Sequence, residues 1–169
     1  MELALVRNAQ PDRPGESGFR RDPALGKSGL EQARAVADRL RIQSWDALYT
    51  SPRRRCRETA AVIADVLDLE PRGEAGLAES EDGRRSVQAV DSIIADHTGG
   101  RVVVITHGTV IDSFVGRFLD SKRLIVPHPT YTGVTHVMAS RRGGREISCL
   151  NDSTHLRLPW PALCEQGAR

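Results

Sequence analysis

The sequence predicts an α/β chain, a three-layer α/β/α sandwich around a mainly parallel sheet. Short apolar runs, residues 3–6 and 101–106 above all, alternate with longer stretches of helical period. Those runs are apolar on both faces, as strands covered by helices on either side must be. The length of 169 residues suits one hydrophobic core, so residues 1–169 are read as a single domain.

Residues 3–6 read as the first buried strand. Residues 28–42 read as a helix, with Ser28 and Glu31 at the spacing of a capping box and Leu30, Ala33, Ala37 and Leu40 on one face. Residues 45–50 form a second short strand. Pro52 suits the first turn of the next helix, where its missing N–H costs nothing. That helix runs to about Leu67 and turns Cys56, Ala60, Ile63, Ala64 and Leu67 inward. Residues 87–97 make a third helix. Residues 101–106 are the most apolar strand, flanked by Gly99, Gly100 and Gly108. Residues 110–119 follow as a helix with Val110, Ile111, Phe114 and Phe118 apolar. Strands at 133–139 and 145–150 complete the sheet. Residues 11–27, 70–86 and the tail after Pro159 read as loosely structured.

Composition narrows the function classes. A net charge of +2 is too small to argue for nucleic acid. Of 24 basic residues only Lys27 and Lys122 are lysines. A GC-rich genome accounts for that bias most simply, although a guanidinium fork also fits phosphate oxygens better than an ammonium does. Cys56, Cys149 and Cys164 lack metal-type spacing and read as reduced thiols. No apolar run is long enough to span a bilayer, and no leader pattern opens the chain, so a cytoplasmic location is expected. A dinucleotide-binding reading fails for want of Gly-x-Gly-x-x-Gly after the first strand, and a P-loop reading for want of Gly-Lys-Ser/Thr. No metal or other cofactor is expected.

Three segments carry the chemistry. The first strand ends in Arg7-Asn8-Ala9. Residues 51–60 read Ser51-Pro52-x-x-Arg55-x-x-x-Thr59-Ala60. The strand at 101–106 ends in His107-Gly108. Together they resemble branch 1 of the histidine phosphatase superfamily, the phosphoglycerate mutase-like proteins. The helix at 28–42 resembles the family's own, with Gly29, Gln32 and Ala33 in register, and Asn151 and His155 echo its closing strand.

The resemblance implies a role for each residue. Arg7 and Arg55 grip phosphoryl oxygens, with Arg55 in the first turns of a helix whose dipole also favours an anion. A histidine at position 8 would take the phosphoryl group on a ring nitrogen. His107 donates to a phosphoryl oxygen. Glu79, in Leu77-Ala78-Glu79, protonates the leaving oxygen; Glu81 and Asp82 are the next carboxylates to consider. Each residue has a plainer alternative: a solvated strand end for Arg7, a satisfied core histidine for His107, a loop carboxylate for Glu79, and a solvated helix face for Arg53, Arg54 and Arg57. Three motifs in the expected order outweigh those alternatives.

Asn8 stands where the nucleophile belongs. An amide nitrogen has its lone pair delocalised into the carbonyl and does not attack phosphorus, so turnover should fall by about three to six orders of magnitude. Binding need not fall. Two histories fit: a substrate-trapping variant of a working phosphatase, which the otherwise intact pocket favours, or a natural pseudo-phosphatase that binds a phosphorylated metabolite or phosphoprotein. A third reading has His107 or Glu79 activate water directly. The short, charged stretch at 70–86, where larger relatives insert a lid, implies an open site for a phosphorylated small molecule or a phosphoprotein. The sequence leaves the substrate and the oligomeric state open.

Overall fold

The computed structural model describes residues 1–12, 22–79, 83–118, 128–140 and 142–156. Six strands form one sheet: β1 (Glu2–Arg7), β2 (Ala47–Thr50), β3 (Pro71–Gly73), β4 (Arg101–Thr106), β5 (Val134–Ala139) and β6 (Arg145–Asp152). Their order is β3-β2-β4-β1-β5-β6. β3, β2, β4 and β1 pair in parallel, while β5 runs antiparallel to both β1 and β6. β5 alone is therefore reversed, and the expected mainly parallel sheet is present.

Among the described residues four helices cover the sheet: α1 (Lys27–Leu40), α2 (Arg54–Leu67), α3 (Gly83–Asp96) and α4 (Gly108–Gly116). Strand periodicity sorts the core into two layers. Ala4 and Val6 of β1, with Val103 and Ile105 of β4, pack against α1 and α2. Leu3 and Leu5, with Val102 and Val104, pack against α3 and α4. Both faces of β1 and β4 are thus sealed, which is why their sequences show no polar alternation. Burial of each Val, Leu or Ile among them contributes about 1.5–3 kcal/mol.

Several local expectations need correction. Ser28 is not a cap: α1 starts at Lys27 with Gly26 as its N-cap and no side-chain cap bond. The start is set instead by Gln10, whose carbonyl accepts from Gly26 N–H (3.2 Å) and presses on Gly29. Leu30 and Phe118 are 38% and 37% exposed rather than inward; Gly29 and Val36 fill the buried face of α1 in place of Leu30. Pro52 lies ahead of α2, whose N-cap is Arg53. Trp45 is buried outside β2, its indole N–H donating to Leu40 O at 2.9 Å. Residues 70–86 are not loosely structured where described, since they hold β3, a 3-10 turn at Ala75–Leu77 and the start of α3. β3 escapes a periodicity test because Pro71, Arg72 and Gly73 are all exposed and lie at the sheet edge.

Candidate active site

Parallel sheets present their carboxyl ends as one floor, and here β1, β4 and β2 end together at Arg7, Thr106 and Thr50. The residues that follow build the site. Asn8 continues from β1, its backbone N–H donating to Thr106 O at 2.8 Å. Ser51 follows β2, its N–H donating to Ile105 O at 3.0 Å. His107 follows β4 as the N-cap of α4; its side chain makes no cap bond and turns to the site. Asn8, Ser51, Arg55 and His107 are all buried.

Three fixed positions of the second motif, Ser51, Arg55 and Thr59, each have a physical reason. Ser51 Oγ lies 2.9 Å from His107 Nε2. Arg55, on the first turn of α2, sends its guanidinium under the site, 2% exposed. Thr59 Oγ1 donates back to Arg55 O at 2.7 Å and accepts from Ala9 N–H at 3.0 Å, tying α2 to the turn after β1. The helix motif acts similarly: Gln32 Oε1 accepts from Gln10 N–H at 3.0 Å. A Cβ on Gly29 would meet Gln10 O at 2.0 Å, so only glycine permits that approach.

Arg55 organises the charges. Its Nη2 donates to Glu79 Oε2 and lies 3.1 Å from His107 Nδ1; its Nη1 reaches Asp22 Oδ1 at 3.5 Å. Asp22 also accepts from Arg54 N–H at 2.8 and 2.7 Å, capping α2 from a distant segment. A guanidinium only donates, so His107 Nδ1 must carry the lone pair and Nε2 the proton, which is given to Ser51 Oγ. His107 is pushed down to about 3 by burial, reinforced by the charges of Arg55, Arg53 and Arg7. Its ring is therefore neutral, and the 3.7 Å approach of Glu79 Oε2 to Nδ1 is not an ion pair. Cys56 Sγ sits 3.5 Å from the same Nε2, but burial raises the thiol to about 12, so it stays protonated.

Arg7 is held from the other side. Its Nη1 donates to Pro129 O, and its Cζ stands 4.0 Å from the centre of the Tyr131 ring. Burial lowers its affinity for the proton, partly offset by Tyr131 and Glu79. Asn8 directs its Nδ2 to Ala9 O at 2.9 Å.

The structure thus gathers Arg55, His107 and Glu79 into one contact network, with Arg7 and Asn8 on the adjoining strand end. Glu81 and Asp82 lie outside the described residues. Arg53 is half-buried, whereas Arg54 and Arg57 do lie exposed. Ser51 stood in the quoted motif without a role. Asp22 and Tyr131 were missed, and no local pattern marks either; only the fold brings them to Arg55 and Arg7.

The six-stranded sheet with helices on both faces and charged groups at its parallel strand ends defines the class of fold. The family model of the histidine phosphatase superfamily (branch 1) matches residues 3–84 and 80–153, and the chain belongs to that family. Phosphoserine phosphatase 1 of Hydrogenobacter thermophilus is 30% identical over 96 residues, which is 56% of this chain and 46% of that protein. The metal-independent phosphoserine phosphatase of Arabidopsis thaliana is 28% identical over 155 residues, covering 65% of each. The chain therefore spans between about half and two thirds of the length of the curated relatives it matches. Among solved structures, Entamoeba histolytica phosphoserine phosphatase in complex with 3-phosphoglyceric acid superposes with a TM-score of 0.79 at 20% identity, covering 92% of this chain and 98% of that one. A histidine-to-alanine mutant of the same phosphatase in complex with phosphoserine gives 0.78 at 19%, with the same coverage.

Proposed function

We propose that this chain holds the phosphoryl group of a phosphomonoester between Arg7, Arg55 and His107, and that Asn8 leaves it without the phosphohistidine step. The site is a trap, a phosphatase pocket that binds and does not turn over. The observation that carries this reading is the network of Arg55 with His107 and Glu79 at the strand ends, beside Arg7 and Asn8.

Entry of a phosphoryl group is an exchange. Arg55 Nη2 leaves Glu79 for a phosphoryl oxygen, exchanging one charge-assisted bond for another. Once that donor has left, His107 Nδ1 is no longer required to accept. The Ser51 hydroxyl can donate as well as accept, so in the other neutral tautomer Nε2 accepts a hydrogen bond from Ser51 O–H while Nδ1–H donates to the phosphoryl oxygen. The released Glu79 carboxyl then stands beside the leaving oxygen, where proton donation is needed. Attack on phosphorus is the missing step, because Asn8 Nδ2 is an amide nitrogen. Water activation by His107 is a poor substitute, since a base pushed down to about 3 has little proton affinity.

The substrate is a phosphorylated small molecule, and phosphoserine and 3-phosphoglycerate come first because relatives of this fold bind them. That a histidine-to-alanine relative still holds phosphoserine supports binding without turnover. The free thiols of Cys56 and Cys149 fit a cytoplasmic setting.

The test is Asn8→His. That variant should hydrolyse p-nitrophenyl phosphate and members of a phosphorylated-metabolite panel, with or without EDTA. Persistent inactivity of the folded variant would sink the trap and leave a binding protein.

A further inference from the structure

We propose that Asn151, near the end of β6, and His155, just beyond it, are positioning residues of the phosphate site: they lock the segment 129–133, which in turn holds Arg7. The inference rests on the reading of Arg7 as a phosphoryl ligand, and it assigns work to two residues that lie outside the pocket.

The turn itself is an unusual construction. Gly133 N–H donates to Thr130 O at 2.9 Å, closing four residues in which Thr132 takes a positive φ of 58°. Turns of that form want glycine or asparagine at the third place, and a β-branched residue there is an outlier that persists only where its surroundings impose it. Thr132 is fully buried, and its N–H donates to Arg7 O at 3.0 Å. The turn is therefore bonded directly to the backbone of Arg7, while its Pro129 carbonyl and Tyr131 ring engage the guanidinium.

Two side chains impose that conformation. Asn151 Oδ1 accepts from Thr130 N–H at 2.9 Å and from Thr130 Oγ1 at 3.0 Å. Asn151 can reach it because β6 bulges against β5: Val134 pairs with Asp152 and His136 with Cys149, so two residues of β6 oppose Thr135 alone. Asn151 is one of those two and has a φ of 53°, which asparagine tolerates better than most residues. A Cβ on Gly133 would lie 2.0 Å from Asn151 Oδ1, so the close approach needs both residues. His155 Nε2 lies 3.0 Å from Thr132 Oγ1. The Thr132 hydroxyl proton points to Tyr131 O at 2.7 Å, so the oxygen accepts from Nε2–H and the imidazole pins the strained residue.

The consequence concerns Arg7 rather than general stability. With the turn locked, Tyr131 covers one face of the guanidinium and Pro129 O occupies one edge donor. The remaining donors are held in a fixed plane, the preorganisation that bidentate phosphate recognition requires. Released, the turn would relax toward negative φ at Thr132 and withdraw both contacts.

Two readouts on the full chain test this. The first is the Arg7 Nε–H signal by nitrogen-15 NMR, shifted in the parent by the Tyr131 ring. Asn151→Ala and His155→Ala should both move it toward the position found in Tyr131→Leu, whereas Asn151→Asp, which keeps an oxygen acceptor, should hold it near the parent's. The second is inorganic phosphate affinity by calorimetry. Asn151→Ala should lose roughly tenfold or more, the scale on which partners of ligating side chains act, and should lose nothing further in an Arg7→Ala background. A core variant of matched thermal stability, such as Ile93→Val, should keep the parent's affinity. An unmoved Arg7 signal in folded Asn151→Ala and His155→Ala overturns the clamp whatever the affinities are. If the parent itself fails to bind phosphate, the reading of the pocket falls, while the Arg7 signal still decides the clamp.

Discussion

Glu79→Gln should make the protein less stable and its grip on phosphate stronger, because Glu79 occupies the Arg55 donor that the proposed phosphate site uses. Arg55 is 2% exposed and Glu79 19%. Removing one partner of a fully buried ion pair costs about 3–5 kcal/mol. Here the loss is smaller, since glutamine keeps an oxygen for Arg55, Glu79 is partly solvated, and Asp22 stays 3.5 Å from Nη1. We expect about 1–2 kcal/mol, a fall of roughly 2–8 °C in Tm for a chain of this size. The same energy no longer has to be given up when phosphate enters, and a like charge has gone from beside it. Phosphate affinity should therefore rise by about five- to thirtyfold. Thermal unfolding across a phosphate series reads both quantities in one experiment: the variant starts lower and climbs further. In an Asn8→His background the same substitution should slow hydrolysis of alkyl phosphates more than that of p-nitrophenyl phosphate, whose phenolate leaves without a proton. A variant that binds phosphate no tighter than its parent would refute the reasoning, since Glu79 would then not compete for Arg55.

Arg55→Ala should abolish the phosphate-dependent stabilisation, which in the parent reaches about 2.7 kcal/mol at a hundredfold excess over Kd; an unchanged shift by scanning calorimetry would place the anion elsewhere. His107 has its folded pKa depressed to about 3, so its contribution to stability is present above its ordinary value near 6.5 and is lost as pH falls through that window. Denaturant unfolding of the parent should lose up to about 1.4 kcal/mol per pH unit there from this group, and a folded His107→Gln should show a shallower limb. Gly29→Ala should destabilise the junction of α1 with the turn after β1, because the new Cβ would lie 2.0 Å from Gln10 O; the change is expected at about 1–3 kcal/mol, on the scale of overpacking, by urea unfolding. A neutral Gly29→Ala would mean that Gln10 is free to shift.

What was legible in the sequence follows from locality. Strands β1 and β4 are apolar on both faces because helices cover both, and that shows in four consecutive letters. The motif at residues 51–60 is also local: one helical turn separates Arg55 from Thr59, so its spacing survives as a pattern. Ser28 misled because capping was judged from two letters, whereas α1 is started by Gln10 from another segment. β3 was invisible because an exposed edge strand of Pro71, Arg72 and Gly73 needs no apolar alternation. Asp22 and Tyr131 were out of reach for a different reason. Each acts across a fold-level contact, on Arg55 and Arg7, and neither sits at a spacing that implies its partner.

Position 8 can change without disturbing its neighbours, and the bonding shows why. The backbone N–H of Asn8 pairs with Thr106 O, Arg7 N–H with Gly133 O, and Ala9 N–H with Thr59 Oγ1, so the strand end is fixed without any side chain at position 8. Arg55 is anchored by Glu79 and Asp22, and His107 by Ser51. Among the described residues the Asn8 side chain bonds only to the adjacent Ala9 carbonyl, at 2.9 Å. On the proposed reading, binding and chemistry are therefore carried by separable parts: a cationic frame that needs no nucleophile to stand, and a nucleophile that needs the frame to act. In the proposed trap, that separation is what would let an amide at position 8 remove turnover and leave the phosphate grip in place.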